Sequence, residues 1–87
     1  MVFLVSYDLN KPGKDYSDLY KTLKNADGWW HYLDSCWLLS TNNSIKYWND
    51  KIKPHIDDND SLLIVEITNN YTGWLTQKAW DWIKNHF

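Results

Sequence analysis

Hydrophobic residues near the start of the chain change from a continuous apolar run to a helical period. The run from Val2 to Leu9 is rich in β-forming residues and stops before Pro12 and Gly13, which end extended structure. From Asp15 to Ala26 the apolar positions recur at the i, i+3, i+4 and i+7 spacing of an amphipathic helix. The pattern predicts a strand with Asp8 at its carboxyl end, followed by a helix.

The middle of the chain predicts two strands and a second helix. Residues from Trp29 to Thr41 are aromatic and aliphatic, with Asp34 and Ser35 in the middle, as in two strands joined by a tight turn or a bulge. Ser44 then suits the N-cap of a helix whose apolar residues are spaced i, i+3 and i+7. This helix runs through about Lys53, because a proline follows.

The C-terminal third predicts one more strand and one more helix. The run from Ser61 to Thr68 begins as continuous apolar residues and then alternates, which is typical of a strand buried on at least one face. After Gly73, a helix from about Thr76 carries an aromatic face. The residues of that face are Ala79, Trp80, Trp82 and Ile83.

The predicted order is strand, helix, two strands, helix, strand, and then an additional helix. This is the βαββαβ order of a ferredoxin-like α+β domain, in which two helices cover one face of an antiparallel sheet. The whole chain, 1–87, is predicted to be one domain, with its core in 1–68 and a helical extension in 69–87. We expect the additional helix to cover the open sheet face or an edge, or to dock on a second subunit.

Charge and cysteine content narrow the classes of partner and location. The net charge is −2 and every cationic side chain is lysine, which argues against a protein that binds duplex nucleic acid through arginine contacts. No apolar run approaches the roughly 20 residues of a membrane-spanning helix, and the apolar start is too short and uncharged for a signal peptide. The single Cys36 forms no internal disulfide. We therefore expect a cytoplasmic protein with no membrane partner.

Several short motifs resemble one known group of proteins. They are Val5–Leu9, Leu33–Trp37 and Ile56–Ser61, with Gly73–Leu75 and Ala79–Trp82 in the tail. The first three resemble the small CRISPR-associated adaptation subunit and its relatives among virulence-associated protein D toxins. The tail is similar to small bacterial proteins labelled SinR-like, whose activity is not established.

The resemblance implies a ferredoxin-like fold, a homodimer and, in active members, a metal held between two subunits by the aspartate that ends the first strand. Here that residue is Asp8. The enzymatic hypothesis is therefore a metal-dependent endonuclease in which paired Asp8 side chains hold Mg²⁺ or Mn²⁺. The alternative is that Asp8 only caps the turn after the strand. The absence of arginine favours this structural role, because a nuclease needs cationic groups around the phosphate.

Other candidate ligands predict no site of their own. The acidic run Asp57–Asp60 lacks the glycine and the final glutamate of a calcium loop, which favours a solvated turn. Cys36 lies in an apolar strand without a second cysteine nearby, so an inert buried thiol is expected. The histidines lack the ligand spacing of zinc sites; they are His31, His55 and His86.

The seven tryptophans exceed what a core of this size can bury, so some are expected to be exposed or shared with a partner. A core plus a dimer interface is favoured, and a stacking pocket for a base or nucleotide is the alternative. The candidate binding surface consists of Trp29, Trp30, Trp74, Trp80 and Trp82.

The functional hypothesis is a homodimeric binding module without robust catalysis that engages a protein, nucleic acid or nucleotide. A role in phage or host defence, or in counter-defence, fits this class by analogy with the resembled group. The alternative is the endonuclease centred on Asp8. A toxin or regulatory component paired with a neighbouring gene is a third possibility, for which no residue argues specifically.

Overall fold

A computed structural model of the chain describes all 87 residues, which form four strands and three helices. The elements are β1 (Val2–Asp8), α1 (Ser17–Leu23), β2 (Gly28–Leu33), β3 (Cys36–Ser40), α2 (Ile45–Ile52), β4 (Ser61–Ile67) and α3 (Gln77–His86). A single 3₁₀ turn, Lys53–His55, follows α2. This arrangement confirms the predicted α+β class and the predicted order of elements.

The four strands form one antiparallel sheet in the order β2-β3-β1-β4. β1 lies in the interior of the sheet and pairs with both β3 and β4, so that Val5 is opposite Trp37 on one side and Ile64 on the other. β2 and β4 are the edge strands. Interior placement explains why β1 has four buried residues whereas the edge strand β4 has none, since neighbours flank β1 on both sides.

One face of the sheet, here called the α1/α2 face, packs against the first two helices. Because side chains alternate along a strand, Phe3, Val5 and Tyr7 of β1 all point to this face. The nine buried residues of this cluster hold the larger part of the core. Its other members are Leu19, Leu23, Trp37, Leu39, Trp48 and Ile52.

The opposite face, here called the α3 face, packs against the C-terminal helix. Its buried cluster contains Val2, Trp30 and Leu38 from the sheet and Ala79 and Ile83 from α3. The Trp30 indole N–H donates to the carbonyl oxygen of Ala79 at 3.2 Å, which fixes the helix against β2. Of the alternatives for the additional helix, covering the open sheet face is the one observed.

The contact between α3 and β2 is close enough to require glycine. A Cβ atom on Gly28 would lie 2.9 Å from His86 Nε2, and side-chain carbons do not approach other atoms so closely. The His86 ring is itself held in place, since it stacks on Trp82 with 3.9 Å between ring centroids and donates through Nδ1 to the Trp82 carbonyl at 2.6 Å. The end of α3 therefore rests directly on the backbone of β2.

The helix ends follow local hydrogen bonds. α1 begins at Ser17, later than predicted, because the Asp15 carboxylate accepts from the Ser17 backbone N–H at 2.9 Å and holds the preceding residues in a turn. Ser44 caps α2 as predicted, accepting from the Tyr47 N–H at 3.0 Å. Thr76 caps α3 in the same way. None of the helices is long and apolar enough to cross a membrane.

Candidate functional site

The α3 face carries an apolar groove where α3 leaves the sheet uncovered. The segment 68–76 crosses this face between β4 and α3, and a cavity of about 330 Å³ lies between the segment, the helix and the strands. Most of its lining is apolar, including Leu4, Trp30, Leu33, Leu38, Trp80 and Phe87. The groove is therefore built from side chains that a folded chain normally buries.

Trp74 lies at the rim of the apolar groove and is 98% exposed. A tryptophan carries roughly 150–250 Å² of surface, most of it apolar, and its transfer from water is favourable by roughly 25 cal/mol per Å². Nothing within the chain covers this ring. An exposed aromatic ring beside an apolar groove is typical of an interaction site.

Further exposed apolar side chains continue the groove along the sheet. Val65 is opposite Leu4 in the strand register, and Leu63 follows on the same side of β4 with 59% of its surface exposed. On the far side, Leu33 is opposite Cys36, and both line the groove. These residues and the apolar groove form one surface, called here the exposed apolar surface. The exposed large side chains of this surface are Tyr32, Leu33, Leu63, Val65, Tyr71, Trp74 and Phe87.

Asp8, the predicted metal ligand, ends β1 on the side of the sheet that also carries Leu4 and Ser6. Its side chain is exposed, and only its backbone oxygen accepts a hydrogen bond, a long one of 3.5 Å from Asn10 Nδ2. No group of three or more His, Cys, Asp or Glu side chains gathers around it or elsewhere in the chain. Since Mg²⁺ and Mn²⁺ prefer several oxygen ligands, the residues of one protomer do not fit such an ion.

The turn after β1 is held by Asp60 and not by Asp8. The Asp60 carboxylate accepts from the Asn10 N–H at 2.6 Å, from the Asp57 N–H at 2.7 Å and from the Tyr16 hydroxyl at 2.8 Å. Desolvation opposes the charge, but these three hydrogen bonds favour it and leave the pKa of Asp60 lowered. The capping role considered for Asp8 therefore belongs to a residue from the acidic run before β4.

Of the five tryptophans predicted as a binding surface, three line the apolar groove, namely Trp30, Trp74 and Trp80, and the other two lie outside it. Trp30 is only 2% exposed and belongs to the core, because α3 covers the face of β2 to which it points. Trp80 stacks on Tyr71 with 6.1 Å between centroids, and Trp82 packs partly buried against the same cluster. Trp74 is the fully exposed member, whereas Trp29 faces the other side of the sheet.

Trp29 belongs to a second feature, an aromatic cleft on the α1/α2 face at the outer edge of β2. The cleft has a volume of about 340 Å³ and is lined by Tyr20, Lys24, Trp29, His31 and Trp37. Of these five, only Trp29 was predicted from sequence as a site residue. The sequence holds a partial signal, because Tyr20 and Lys24 are four residues apart on one side of α1 and Trp29 and His31 are two residues apart on one side of β2. Only the folded sheet brings both pairs to Trp37.

Cys36 is half-buried and lines the apolar groove, and desolvation raises the pKa of its thiol. A raised pKa lowers the fraction of reactive thiolate at neutral pH. The location agrees with a thiol that contributes packing surface, although it is only partly buried and the sequence had indicated a buried one.

A scan against protein-family models, a search of curated proteins and a search of solved structures each found no match. The candidate sites therefore rest on the geometry of this chain alone.

Proposed function

We propose that the protein is a homodimeric binding module in which the exposed apolar surface joins two copies. The observation that carries the proposal is Trp74, whose ring is 98% exposed at the rim of an apolar groove on the same face. A single chain leaves both the ring and the groove in water. Association buries both at once, and hydrophobic burial is the main driving force of such contacts.

The size of the exposed apolar surface suits a dimer. Applied to roughly 150–250 Å² per aromatic side chain, the exposed fractions of its four aromatic residues sum to about 350–580 Å², and Leu33, Leu63 and Val65 add to this area. A standard stable interface takes roughly 800 Å² from each partner. The exposed apolar side chains thus supply a large part of the area that a specific dimer needs.

The arrangement is also self-complementary. In a two-fold symmetric dimer the same patch of each chain contacts the other, so a protruding group and its receptor must lie on the same protomer. Trp74 and the apolar groove meet this condition. We expect each Trp74 to enter the groove of the other chain.

The dimer is tested by sedimentation equilibrium of the wild type and of Trp74→Ala. Because tryptophan is a frequent interface hot spot, we expect the substitution to raise the dimer dissociation constant by about 30-fold or more. Tyr47→Ala is the matched control, since Tyr47 is an exposed aromatic residue on α2, away from the groove. A wild type that stays monomeric at high concentration, or equal weakening by both substitutions, would contradict the proposal.

The ferredoxin-like assignment belongs to the same proposal. The strand order β2-β3-β1-β4 with every neighbouring pair antiparallel supports it. A cytoplasmic location and a role in defence or counter-defence are proposed with it, on the resemblance of the sequence motifs. Identification of the genes beside this one tests the role in defence.

An endonuclease remains the second candidate, and one observation favours it. Asp8 lies on the same sheet face as Leu63 and Val65, and its carboxylate has no structural task in the turn. A dimer formed through this face, with its two-fold axis along the strands, would bring two Asp8 side chains to the same end of the interface. That pair would have to hold Mg²⁺ or Mn²⁺, which supplies charge to polarise a phosphate.

Cleavage of labelled RNA and DNA, single- and double-stranded, separates the two candidates. Both the wild type and Asp8→Ala are assayed with Mg²⁺ or Mn²⁺ after their dimeric state has been measured. Cleavage that the substitution abolishes would favour the endonuclease. Absence of cleavage by the wild-type dimer would favour a module that binds without catalysis.

A further inference from the structure

The aromatic cleft beside β2 has a rigid floor. Trp37 is 1% exposed, and its indole N–H donates to the Tyr7 hydroxyl at 3.0 Å. His31 stacks on the Trp37 ring with 3.9 Å between centroids and 16° between planes, and its Nε2–H donates to the Asp34 carbonyl at 2.9 Å. The rings are therefore ordered before any ligand arrives, which reduces the entropy cost of binding.

The walls of the cleft remain open to solvent. Trp29 is 41% exposed, and its ring centroid lies 5.4 Å from that of Trp37 at 46°. Across the opening stands Tyr20 of α1, whose ring lies 6.2 Å from Trp37. With a volume of about 340 Å³, the cleft reaches the roughly 300 Å³ at which small-molecule sites begin.

The polar groups at the cleft favour an anionic ligand with an aromatic ring. The lining contains Lys24 and His31 but no carboxylate. Lys24 Nζ lies 5.1 Å from the centroid of the Trp29 ring, on an exposed and flexible side chain. β2 is an edge strand, so its outward backbone N–H and C=O groups remain available for hydrogen bonds to the edge of a base.

We propose that this cleft binds a nucleobase that carries a phosphate group. The base stacks on Trp29, and Lys24 moves from the Trp29 ring to pair with the phosphate. Stacking of a base on tryptophan is stronger than an exposed cation–π contact, so the exchange is favourable. A free mononucleotide and one unit of a single strand share this chemistry. The site lies on the face opposite the proposed dimer contact and does not require it.

Calorimetric titration with adenosine monophosphate (AMP), adenosine and ribose 5-phosphate tests which parts of the ligand are recognised. We expect AMP to bind, adenosine to bind at least tenfold more weakly, and ribose 5-phosphate not to bind. ¹⁵N NMR should show the Trp29 indole signal moving with AMP. A six-nucleotide RNA or DNA that binds more tightly than AMP would identify a single strand as the source of the ligand, and equal affinity would identify the free nucleotide.

Substitutions at two positions locate the binding. Trp29→Ala and Lys24→Ala should each weaken AMP binding at least tenfold, whereas Trp29→Phe should keep part of the affinity, since it retains a stacking ring. Lys46→Ala is the matched control, because Lys46 is an exposed lysine on α2 that pairs only with Asp50. Trp74→Ala should bind AMP normally even as a monomer, which separates this site from the dimer.

The proposal is overturned if neither AMP nor the oligonucleotides bind at millimolar concentration. It is also overturned if Lys24→Ala, an exposed substitution that leaves the core intact, binds as tightly as the wild type. Equal affinity for adenosine and AMP would contradict the role of Lys24 as well.

Discussion

Three tryptophans bury an indole N–H in the interior, and each donates to one defined acceptor. Trp37 donates to the Tyr7 hydroxyl at 3.0 Å, and Trp48 donates to Thr41 Oγ1 at 3.1 Å. The third, Trp30, donates to the main chain of α3. No buried side-chain nitrogen or oxygen lacks a partner. Burial of so many indoles is possible because each polar atom recovers the hydrogen bond that it loses from water.

Tyr7→Phe removes the acceptor of the Trp37 N–H and is expected to reduce the free energy of unfolding by about 1–3 kcal/mol, the cost of a buried donor without a partner. Urea denaturation measures this loss. Tyr47→Phe, an exposed tyrosine outside the core, should change stability little. Equal stability of Tyr7→Phe and the wild type would show that water or another group satisfies the indole.

Tyr7 also predicts a dependence on alkaline pH. Burial, the largest influence, raises its pKa above the ordinary value of 10.0. The unfolded chain therefore loses this proton before the folded chain does, and stability should fall as pH rises above about 10. The slope of stability against pH in that range should be smaller in Tyr7→Phe, measured by urea denaturation at successive pH values.

Asp60→Asn tests the hydrogen bonds that join the turn after β1 to the loop before β4. The hydrogen bonds from Asn10, Asp57 and Tyr16 favour the ionised carboxylate over desolvation, so the folded pKa lies below the ordinary value of 3.8. The contribution to stability is present above about pH 4 and is lost as pH falls through the folded pKa. The variant should therefore have a lower urea midpoint at neutral pH and approach the wild type as pH falls below the folded pKa. Asp58→Asn is the exposed control.

At the scale of elements, α3 is predicted to be an integral part of the fold. Ile83 lies in its buried cluster, so Ile83→Val should reduce the free energy of unfolding by about 0.5–1.5 kcal/mol and Ile83→Ala by about 2–5 kcal/mol. Ile45→Val on α2 is the exposed control and should change it by less than about 0.5 kcal/mol. Equal effects at the two positions in urea denaturation would mean that α3 detaches readily.

Each strand and helix could be predicted from sequence, the helices from the period of their apolar residues and the strands from apolar runs bounded by turn residues. The face that α3 covers could not, because nothing in its spacing encodes a distant contact. β2 shows the difficulty well. Trp29 and Trp30 are equally apolar neighbours, yet one points to the cleft at the sheet edge and the other beneath α3. With apolar groups on both faces, alternation no longer distinguishes inside from outside.

The candidate sites could be predicted only in part for the same reason. The number of tryptophans and the small size of the domain predicted that at least one would be exposed, and Trp74 is. The apolar groove is formed by residues from all four strands, the segment 68–76 and α3, which come together only in the folded chain. Asp60 was overlooked as the cap because its partner Asn10 lies 50 residues away in sequence.

For the whole molecule, the proposed dimer predicts a change in tryptophan fluorescence with concentration. Among the seven indoles, Trp74 is the one that is almost completely in water, so its emission should lie furthest to the red. Dimer formation should therefore shift the total emission to the blue as concentration rises. Trp74→Phe should abolish most of this shift. A concentration-dependent shift that survives the substitution would place the contact elsewhere.

The interior position of β1 has a consequence for synthesis on the ribosome. Val2 emerges before both of its partners, Ser40 and Ile67, which follow it by 38 and 65 residues. At translation rates of about 5–20 residues per second, β1 waits roughly 3–13 s before its second neighbour exists. During that interval an apolar strand lacks one of its two neighbours, and unpaired apolar strands of this kind are prone to aggregate until the chain is complete.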